Sequence, residues 1–240
     1  MTVPTIQKTS VSQQVVDYVL GCIDRGELKQ GDCLPGEREF AESLGISRVP
    51  LREGISALAA MGIVEKRHGE GNFIAEFSSD VLGRILHTYT MLDHTLANDL
   101  FEARSLIEGA AARLAARNAT EQDIASLRQL IAQMEADVPA YVKGERTLTQ
   151  MLKQDDLFHL QCAAASHNEF YIQFVNIMHN IGTDMGLYEN TYGKTPEKYY
   201  TSLDFHRRLV AAIEAGNEQS AQDIMAHHIE SIRSNTENKI

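Results

Sequence analysis

Four residues in the second half of the chain have the types and the spacing of a metal site. Asp155 and His159 lie four residues apart in KQDDLFHLQC, so both point to one face of a helix. His206 and His228 each fall in phase with apolar neighbours, whereas the adjacent His227 does not. One buried histidine alone is more often a core residue. Four in phase provide oxygen and nitrogen donors that suit Zn²⁺, Ni²⁺ or Mn²⁺ and leave positions open for a ligand or water.

A second pattern, SRVPLRE at residues 47 to 53, suits nucleic-acid recognition. Ser47 is a good N-cap, and the helix that follows places Arg48 and Arg52 one turn apart, away from its apolar stripe. Both guanidinium groups can therefore enter one major groove, where their forks match O6 and N7 of guanine. Ser47 and the free backbone N–H groups of the helix start suit a phosphate. The alternative is that the two arginines belong to an ordinary solvated helix face.

The elements around SRVPLRE are three helices and a small hairpin. Ser10 followed by Gln13 predicts a capping box that opens the first helix, residues 37–44 form a short second one, and Ser47 opens the third. Two short apolar pieces then flank RHGEGN, which is typical of a glycine-rich hairpin tip. This order predicts a winged helix-turn-helix domain, in which the third helix reads the major groove.

The rest of the chain has helical periodicity only and predicts a mainly α protein whose C-terminal part is an all-α antiparallel helical bundle. One of the predicted breaks is at Val138-Pro139. We expect a winged helix-turn-helix domain at 1–76, a linker at 77–79 and a helical domain at 80–240. The predicted helices of this domain are 80–93, 97–117, 121–137, 145–165, 168–189, 197–215 and 218–236.

The charge of the chain opposes nucleic-acid binding by bulk attraction. The formal net charge is −11, and residues 1–76 hold 8 basic against 11 acidic side chains. DNA binding therefore requires a local surface, to which Arg38 and the hairpin-tip pair His68-Gly69 would add contacts beside the third helix.

Two further features indicate the compartment. The three cysteines are widely spaced, lack a CxxC motif and read as reduced thiols. The sequence has neither a signal peptide nor an apolar run of the ~20 residues that a membrane span needs. We expect a cytoplasmic protein without a membrane partner.

The first 76 residues carry a resemblance. The stretch GELKQGDCLPGEREFAESLGISRVPLREGISALAAMGIVEKRHGEGNFI resembles the DNA-binding domain of the GntR family of bacterial transcription regulators over about residues 11–76. The resemblance implies that Arg38, Arg48, Arg52, His68 and Gly69 contact DNA. Gly36 replaces the usual Ser or Thr, and Gly54 replaces the usual Ala, which predicts a softer third helix by up to ~1 kcal/mol.

The helical part resembles the FCD ligand-binding domain of the FadR-like branch of that family. The family pattern runs ExRxxlE, then DxxFH, then two histidines with twenty-one residues between them, and this chain matches all three parts. The resemblance implies that the metal ligands are Asp155, His159, His206 and His228. Zinc is the expected metal, with nickel and manganese as alternatives.

The same resemblance suggests residues for an effector. Arg104 of the ExRxxlE motif would clamp an effector carboxylate, and an ion pair with Glu108 is the equally weighted alternative. Asn168 and Tyr188 would line the pocket, although capping of the next helix is the more common task of such an asparagine.

Together these features predict a homodimeric, metabolite-responsive transcription regulator, not an enzyme. It would repress a catabolic operon by binding a palindromic operator in double-stranded DNA and be released by a small organic acid at the metal site. A regulator whose effector is the metal ion itself is the alternative. A metal-dependent hydrolase is a further alternative, but it leaves the DNA-reading domain unexplained and lacks an evident general base.

Overall fold

The computed structural model describes residues 9–76, 80–92, 96–187 and 196–237. The chain divides into two compact units, Met1–Val81 and Leu82–Ile240. The predicted linker at 77–79 lies outside the described residues. Within the described part, the prediction of a mainly α chain with a small hairpin and a helical C-terminal bundle is confirmed.

None of the helices in the described ranges is both long enough and apolar enough to span a bilayer.

The N-terminal unit contains three helices and one antiparallel hairpin. Ser10 caps the first helix by accepting a bond from the Gln13 backbone at 3.1 Å. The described residues show no return bond from the Gln13 side chain to Ser10, and Nε2 of Gln13 donates to Asp17 at 2.9 Å. The elements are α1 (Val11–Asp24), α2 (Glu37–Ser43), α3 (Arg48–Ala60), β1 (Val64–Arg67) and β2 (Gly71–Ile74).

A single apolar core holds this unit together. Side chains from all three helices and both strands are buried in it, including Val19, Leu51, Leu58, Val64 and Ile74. The strand pairing begins with Val64 and Ile74 at the open end of the hairpin and continues to the tip. Because Val64 and Ile74 are in the core, the open end of the hairpin is anchored there. The tip of the hairpin is therefore free to project as a wing.

Gly54 is buried at the contact between α1 and α3. A Cβ atom at this position would lie 2.8 Å from the Cβ of Val15 and 2.9 Å from the carbonyl oxygen of Ser12. The sequence predicts that Gly54 weakens α3. In the structure, its lack of a Cβ atom is what allows α1 and α3 to approach this closely.

The C-terminal unit is a bundle in which α5 is central: it packs most extensively against α10 and also contacts α7, α8 and α9. Thr120 and Thr147 open α6 and α7 with complete capping boxes. The helices are α4 (Asp80–Leu92), α5 (Leu96–Asn118), α6 (Glu121–Val142), α7 (Leu148–Ala164), α8 (Glu169–Asp184), α9 (Pro196–Glu214) and α10 (Glu218–Glu237).

The predicted break at Val138-Pro139 is wrong, because α6 continues to Val142 with Pro139 inside it. The ring removes one backbone donor. The helix nevertheless keeps Met134 and Val138 fully buried in the core, and the Pro139 carbonyl accepts a bond from Lys143 at 3.1 Å. Packing of the apolar face thus outweighs the loss of one hydrogen bond.

Candidate functional site

The exposed face of α3 carries Arg48 and Arg52, as the sequence predicts. Their side chains are 57% and 56% exposed, whereas Leu51, Ile55 and Leu58 of the same helix are buried. Two guanidinium groups one helical turn apart therefore point away from the core together.

Both arginines approach the same carboxylate. The Nε of Arg52 lies 2.6 Å from Oε2 of Glu37, and an Nη of Arg48 lies 4.0 Å from that oxygen. Glu37 is the first residue of α2 and is 34% exposed, less than either arginine. Sequence reasoning did not single out Glu37, because its partners are 11 and 15 positions away in the chain.

Arg38 and Ser47 occupy the helix positions that the sequence predicts for them. Arg38 donates to Glu42 at 3.0 Å, but its side chain stays 83% exposed, so this surface pair leaves the guanidinium accessible. Ser47 sits at the N-cap of α3 with extended backbone, and within the described structure its hydroxyl makes no capping bond. Both side chains remain accessible to a phosphate.

The hairpin tip carries His68 and Gly69 beside the start of α2. Gly69 has φ +79°, a conformation that glycine adopts without cost. A groove of about 500 Å³ is lined by both tip residues together with Glu37, Lys66 and Arg67. The wing and the first residue of α2 therefore share one surface groove.

In the C-terminal unit, the four predicted metal ligands converge. Asp155 and His159 project from α7, His206 from α9 and His228 from α10, and all four are buried. One donor atom from each lies within 4.8 Å of the others. The Nε2 atoms of His206 and His228 are 3.2 Å apart, and Asp155 lies 3.5 Å from the former.

The donor atoms of this cluster are suited to a cation. Nε2 of His159 is buried and has no hydrogen-bond partner among the described residues. Burial, followed by the neighbouring imidazoles, lowers the pKa of His206 and of His228 well below its usual value, so both rings are neutral and offer lone pairs. One carboxylate and three imidazoles are the donor set of a zinc-type site.

A buried ion pair orients His159. Its Nδ1 lies 2.5 Å from Oε2 of Glu108, and the other carboxylate oxygen accepts from Nε of Arg104 at 2.6 Å. Burial alone would raise the pKa of Glu108, but Arg104 and the histidines His159 and His179 hold it well below its usual value. A charged Glu108 keeps the proton of His159 on Nδ1 and directs the Nε2 lone pair into the cluster.

A second group of donors, Glu108, His159 and His179, is also close enough to hold an ion. Electrostatics favours a cation in the cluster that contains Asp155 and not in this second group, because the Nη2 of Arg104 already lies 2.9 Å from Nε2 of His179. An arginine only donates, so His179 accepts there and donates through Nδ1 to Asp156 at 2.6 Å. The Arg104 guanidinium thus supplies the positive charge in this second group.

Comparison with known proteins identifies both units. Residues 11–74 match the family described as bacterial regulatory proteins, gntR family, and residues 99–231 match the FCD domain. The chain belongs to the gntR family and carries an FCD domain.

Individual members of the family resemble this regulator over nearly its whole length. The HTH-type transcriptional regulator LutR of Bacillus subtilis is 30% identical over 215 residues, which cover 88% of this chain and 94% of LutR. The Glc operon transcriptional activator of Escherichia coli K12 is 28% identical over 234 residues, which cover 95% and 90%. The solved structure of Streptococcus agalactiae GntR has a TM-score of 0.71 and 30% identity and covers 93% of this chain and 99% of its own.

Membership of the gntR family makes the protein a DNA-binding transcription regulator and not an enzyme. The hydrolase alternative is thereby overturned. FCD domains are often metal-binding, and the cluster of Asp155, His159, His206 and His228 can hold a metal ion.

The residues predicted to bind the effector of this gntR-family regulator have mixed outcomes. Arg104 is fully buried and pairs with Glu108, which is the alternative role that the sequence offered, and its effector role stays a prediction. Asn168 caps α8 by accepting from the backbone of Phe170 at 3.1 Å. Tyr188 lies outside the described residues.

Sequence reasoning about this FCD domain missed His179. The residue lies on α8 four positions after the buried Val175 and directly after the buried Met178. The same test of helical phase that found His206 would have found it. Its bonds to Arg104 and Asp156 depend on how α5 and α7 pack, so its partners cannot be derived from that phase.

Proposed function

We propose that this gntR-family regulator is a homodimeric repressor of a catabolic operon, released from a palindromic operator by a small carboxylate that binds at a metal site. The observation that carries the proposal is the convergence of Asp155, His159, His206 and His228 inside the domain that accompanies the DNA-binding unit. Operator binding would place the protein with the chromosome in the cytoplasm.

On the DNA side, α3 is the recognition helix. Arg48 and Arg52 would each present two parallel donors to a guanine, while Arg38, Ser47 and the wing would hold the phosphate backbone. The wing contacts would come from His68 and Gly69. Two copies of α3 in a two-fold dimer would read the two half-sites of a palindrome.

On the effector side, three imidazoles and one carboxylate would hold a divalent ion, zinc first and nickel or manganese as alternatives. Such an ion would supply a Lewis-acidic anchor for a carboxylate. The neutral state of His206 and His228 matters here, because with the charge of Asp155 the loaded site carries a single net positive charge. A buried site of that charge favours an anionic ligand over a neutral one.

Effector and operator must be linked through a difference in affinity. A carboxylate that binds more tightly to the conformation that cannot hold the operator lowers operator affinity by that ratio. Similarity to the Glc operon transcriptional activator supports control of an operon. Because that relative is an activator, the sign of control is measured directly in the test below.

The test begins with the full-length protein and a randomised double-stranded DNA library, from which the wild type selects its operator. We expect a palindrome, and we expect Arg48→Ala and Arg52→Ala each to lose ~1–3 kcal/mol of binding to it. Arg25→Ala is the matched control, because Arg25 pairs with Glu27 at the end of α1. Equal operator affinity in all three variants would refute the assignment of α3.

The second part of the test concerns the effector: a panel of small carboxylates is titrated into the complex of the zinc-loaded protein with that operator, and release of the DNA is measured. Release by one of them should vanish with a chelator and with His206→Ala, and it should persist in His227→Ala, a control that alters the exposed neighbour of His228. Release by metal alone, with no response to any carboxylate, would favour the metal-sensing alternative. A promoter–reporter fusion then gives the sign of control.

A further inference from the structure

Glu37 contacts several parts of the DNA-facing surface described above. Its carboxylate lies 2.6 Å from Nε of Arg52 and 4.0 Å from Arg48, and it lines the groove that also contains His68 and Gly69. A negative charge in the middle of a surface that must approach phosphates opposes binding by itself. We therefore expect Glu37 to have a function in this surface that compensates for its repulsion of phosphates.

The geometry of the Arg52 bond indicates that task. Glu37 accepts from Nε, which lies on the side of the guanidinium group, whereas the end of the fork is formed by the two Nη atoms. The end of the fork provides two parallel donors that match the paired acceptors of guanine. A carboxylate on the side thus fixes the plane of the fork without occupying the donors that read the base.

The pair differs from an ordinary surface ion pair such as that of Arg38 with Glu42. In that pair the two side chains are 83% and 67% exposed and belong to the same helix. Glu37 is only 34% exposed and spans from α2 to α3. As the first residue of α2, its carboxylate is also favoured by the positive end of that helix, so it is a comparatively fixed point.

We propose that Glu37 is a positioning residue for base reading: it orients Arg52, and with it Arg48, before DNA arrives, and its charge weakens binding to DNA of the wrong sequence. This rests on the proposed role of the two arginines in reading the operator. With Glu37 in place, binding to the operator should be more specific and binding to other DNA should be weaker than without its charge. This agrees with an N-terminal region that has more acidic than basic side chains.

The test measures a specificity ratio, the affinity for the operator selected by the full-length wild type divided by that for a scrambled duplex of equal length. Glu37→Gln should lower this ratio about tenfold, the order expected when one bidentate guanine contact loses its orientation. Glu39→Gln is the charge-matched control: it removes the same charge from an exposed position two residues along α2, which faces another direction. Its ratio should change by less than about twofold.

Further measurements separate positioning from general effects. In the Arg52→Ala background, Glu37→Gln should cost almost no additional specificity, because its partner is already absent. Glu37→Asp keeps the charge but is shorter, so it should still lose several-fold in the ratio if reach matters. The base positions at which preference relaxes should be those that relax in Arg52→Ala. Thermal unfolding of each variant confirms that the domain is folded.

The outcomes are distinguishable from failure of the proposed function. If the wild type selects no sequence, or Arg52→Ala binds the operator normally, the reading role of α3 fails and the inference fails with it. If those results are as expected but Glu37→Gln keeps the ratio, or tightens specific and non-specific binding equally, the positioning role alone is overturned. A change in preference at base pairs that Arg52→Ala leaves untouched would likewise overturn it.

Discussion

At the scale of single residues, the candidate metal cluster depends on a carboxylate that is not one of its four members. Glu108 accepts from Nδ1 of His159 and is held in turn by Arg104, so the three side chains act as one unit. Removal of the charge on Glu108 weakens the preference of His159 for the tautomer that directs its lone pair into the cluster.

We therefore expect Glu108→Gln to lower metal affinity roughly 10- to 100-fold, as such outer partners commonly do. Competition with a chromophoric chelator measures this affinity in protein whose helical content is checked first, because the variant removes the negative charge that Arg104 pairs with in the core. Glu102→Gln on the exposed face of the same helix is the control. Wild-type metal affinity in the Glu108 variant would show that His159 is oriented by other means.

Residue types and helical phase were sufficient to predict that the four candidate ligands face the core, because each follows the apolar stripe of its own helix. The network around them was not predictable in this way. Arg104 and Glu108 are paired within one helix, but the bonds to His159 and His179 cross between helices. Such contacts depend on the rotation of each helix about its axis, which sequence periodicity gives only approximately.

At the scale of elements, local signals predicted the starts of helices well and one end poorly. Ser10 opens its helix as expected, since its hydroxyl takes a bond from the first turn whatever the tertiary context. Contrary to expectation, the helix does not stop at Pro139, because the adjacent Val138 anchors it in the core. A cap is a local interaction, whereas the persistence of a helix through a proline depends on packing.

Gly54 gives the sharpest test of packing against propensity. Alanine should favour an isolated helix by ~1 kcal/mol, but here its Cβ would meet Val15 and the backbone oxygen of Ser12 at less than 3 Å. Because backbone cannot move aside cheaply, we expect Gly54→Ala to destabilise the N-terminal unit by about 1–3 kcal/mol. Hydrogen exchange of the amides of α1 and α3 in the full-length protein measures this change.

Gly36→Ser is the matched control for that prediction. Gly36 has φ −54° and no atom within 4 Å of an added Cβ, and serine is a better helix cap than glycine. Exchange in this variant should be unchanged or slower by a small factor. Protection of α1 and α3 that survives Gly54→Ala would mean that the two helices can separate slightly without loss of stability.

At the scale of the whole molecule, the histidines make stability depend on pH in a defined window. In the folded protein, burial and the neighbouring imidazoles hold the pKa of His206 and His228 well below the ordinary value of 6.5. In the unfolded chain both rings titrate near 6.5. As pH falls through that value the unfolded state takes up protons that these two rings exclude in the folded state, so the stability that His206 and His228 contribute to the metal-free protein is present above pH 6.5 and declines below it.

The slope should approach about 1.4 kcal/mol per pH unit for each of the two histidines between roughly pH 6 and 5. Urea unfolding of the full-length protein in the presence of a chelator, followed by helical circular dichroism, measures it. The lowered pKa of Glu108 acts in a different window, because its stabilisation is lost only below about 4.5. The histidine contribution can therefore be read without interference from that carboxylate.

Replacement of one buried ring separates this titration from a general loss of packing. His228→Asn should lower stability at every pH, but it should also remove about half of the slope, because one proton fewer is taken up on unfolding. His227→Asn alters an exposed ring that bonds the Asp223 carbonyl, so the slope should stay as in the wild type. Equal slopes in the two variants would mean that the buried cluster accepts protons in the folded state, which would contradict neutral, lone-pair-donating imidazoles and with them the suitability of the site for a metal.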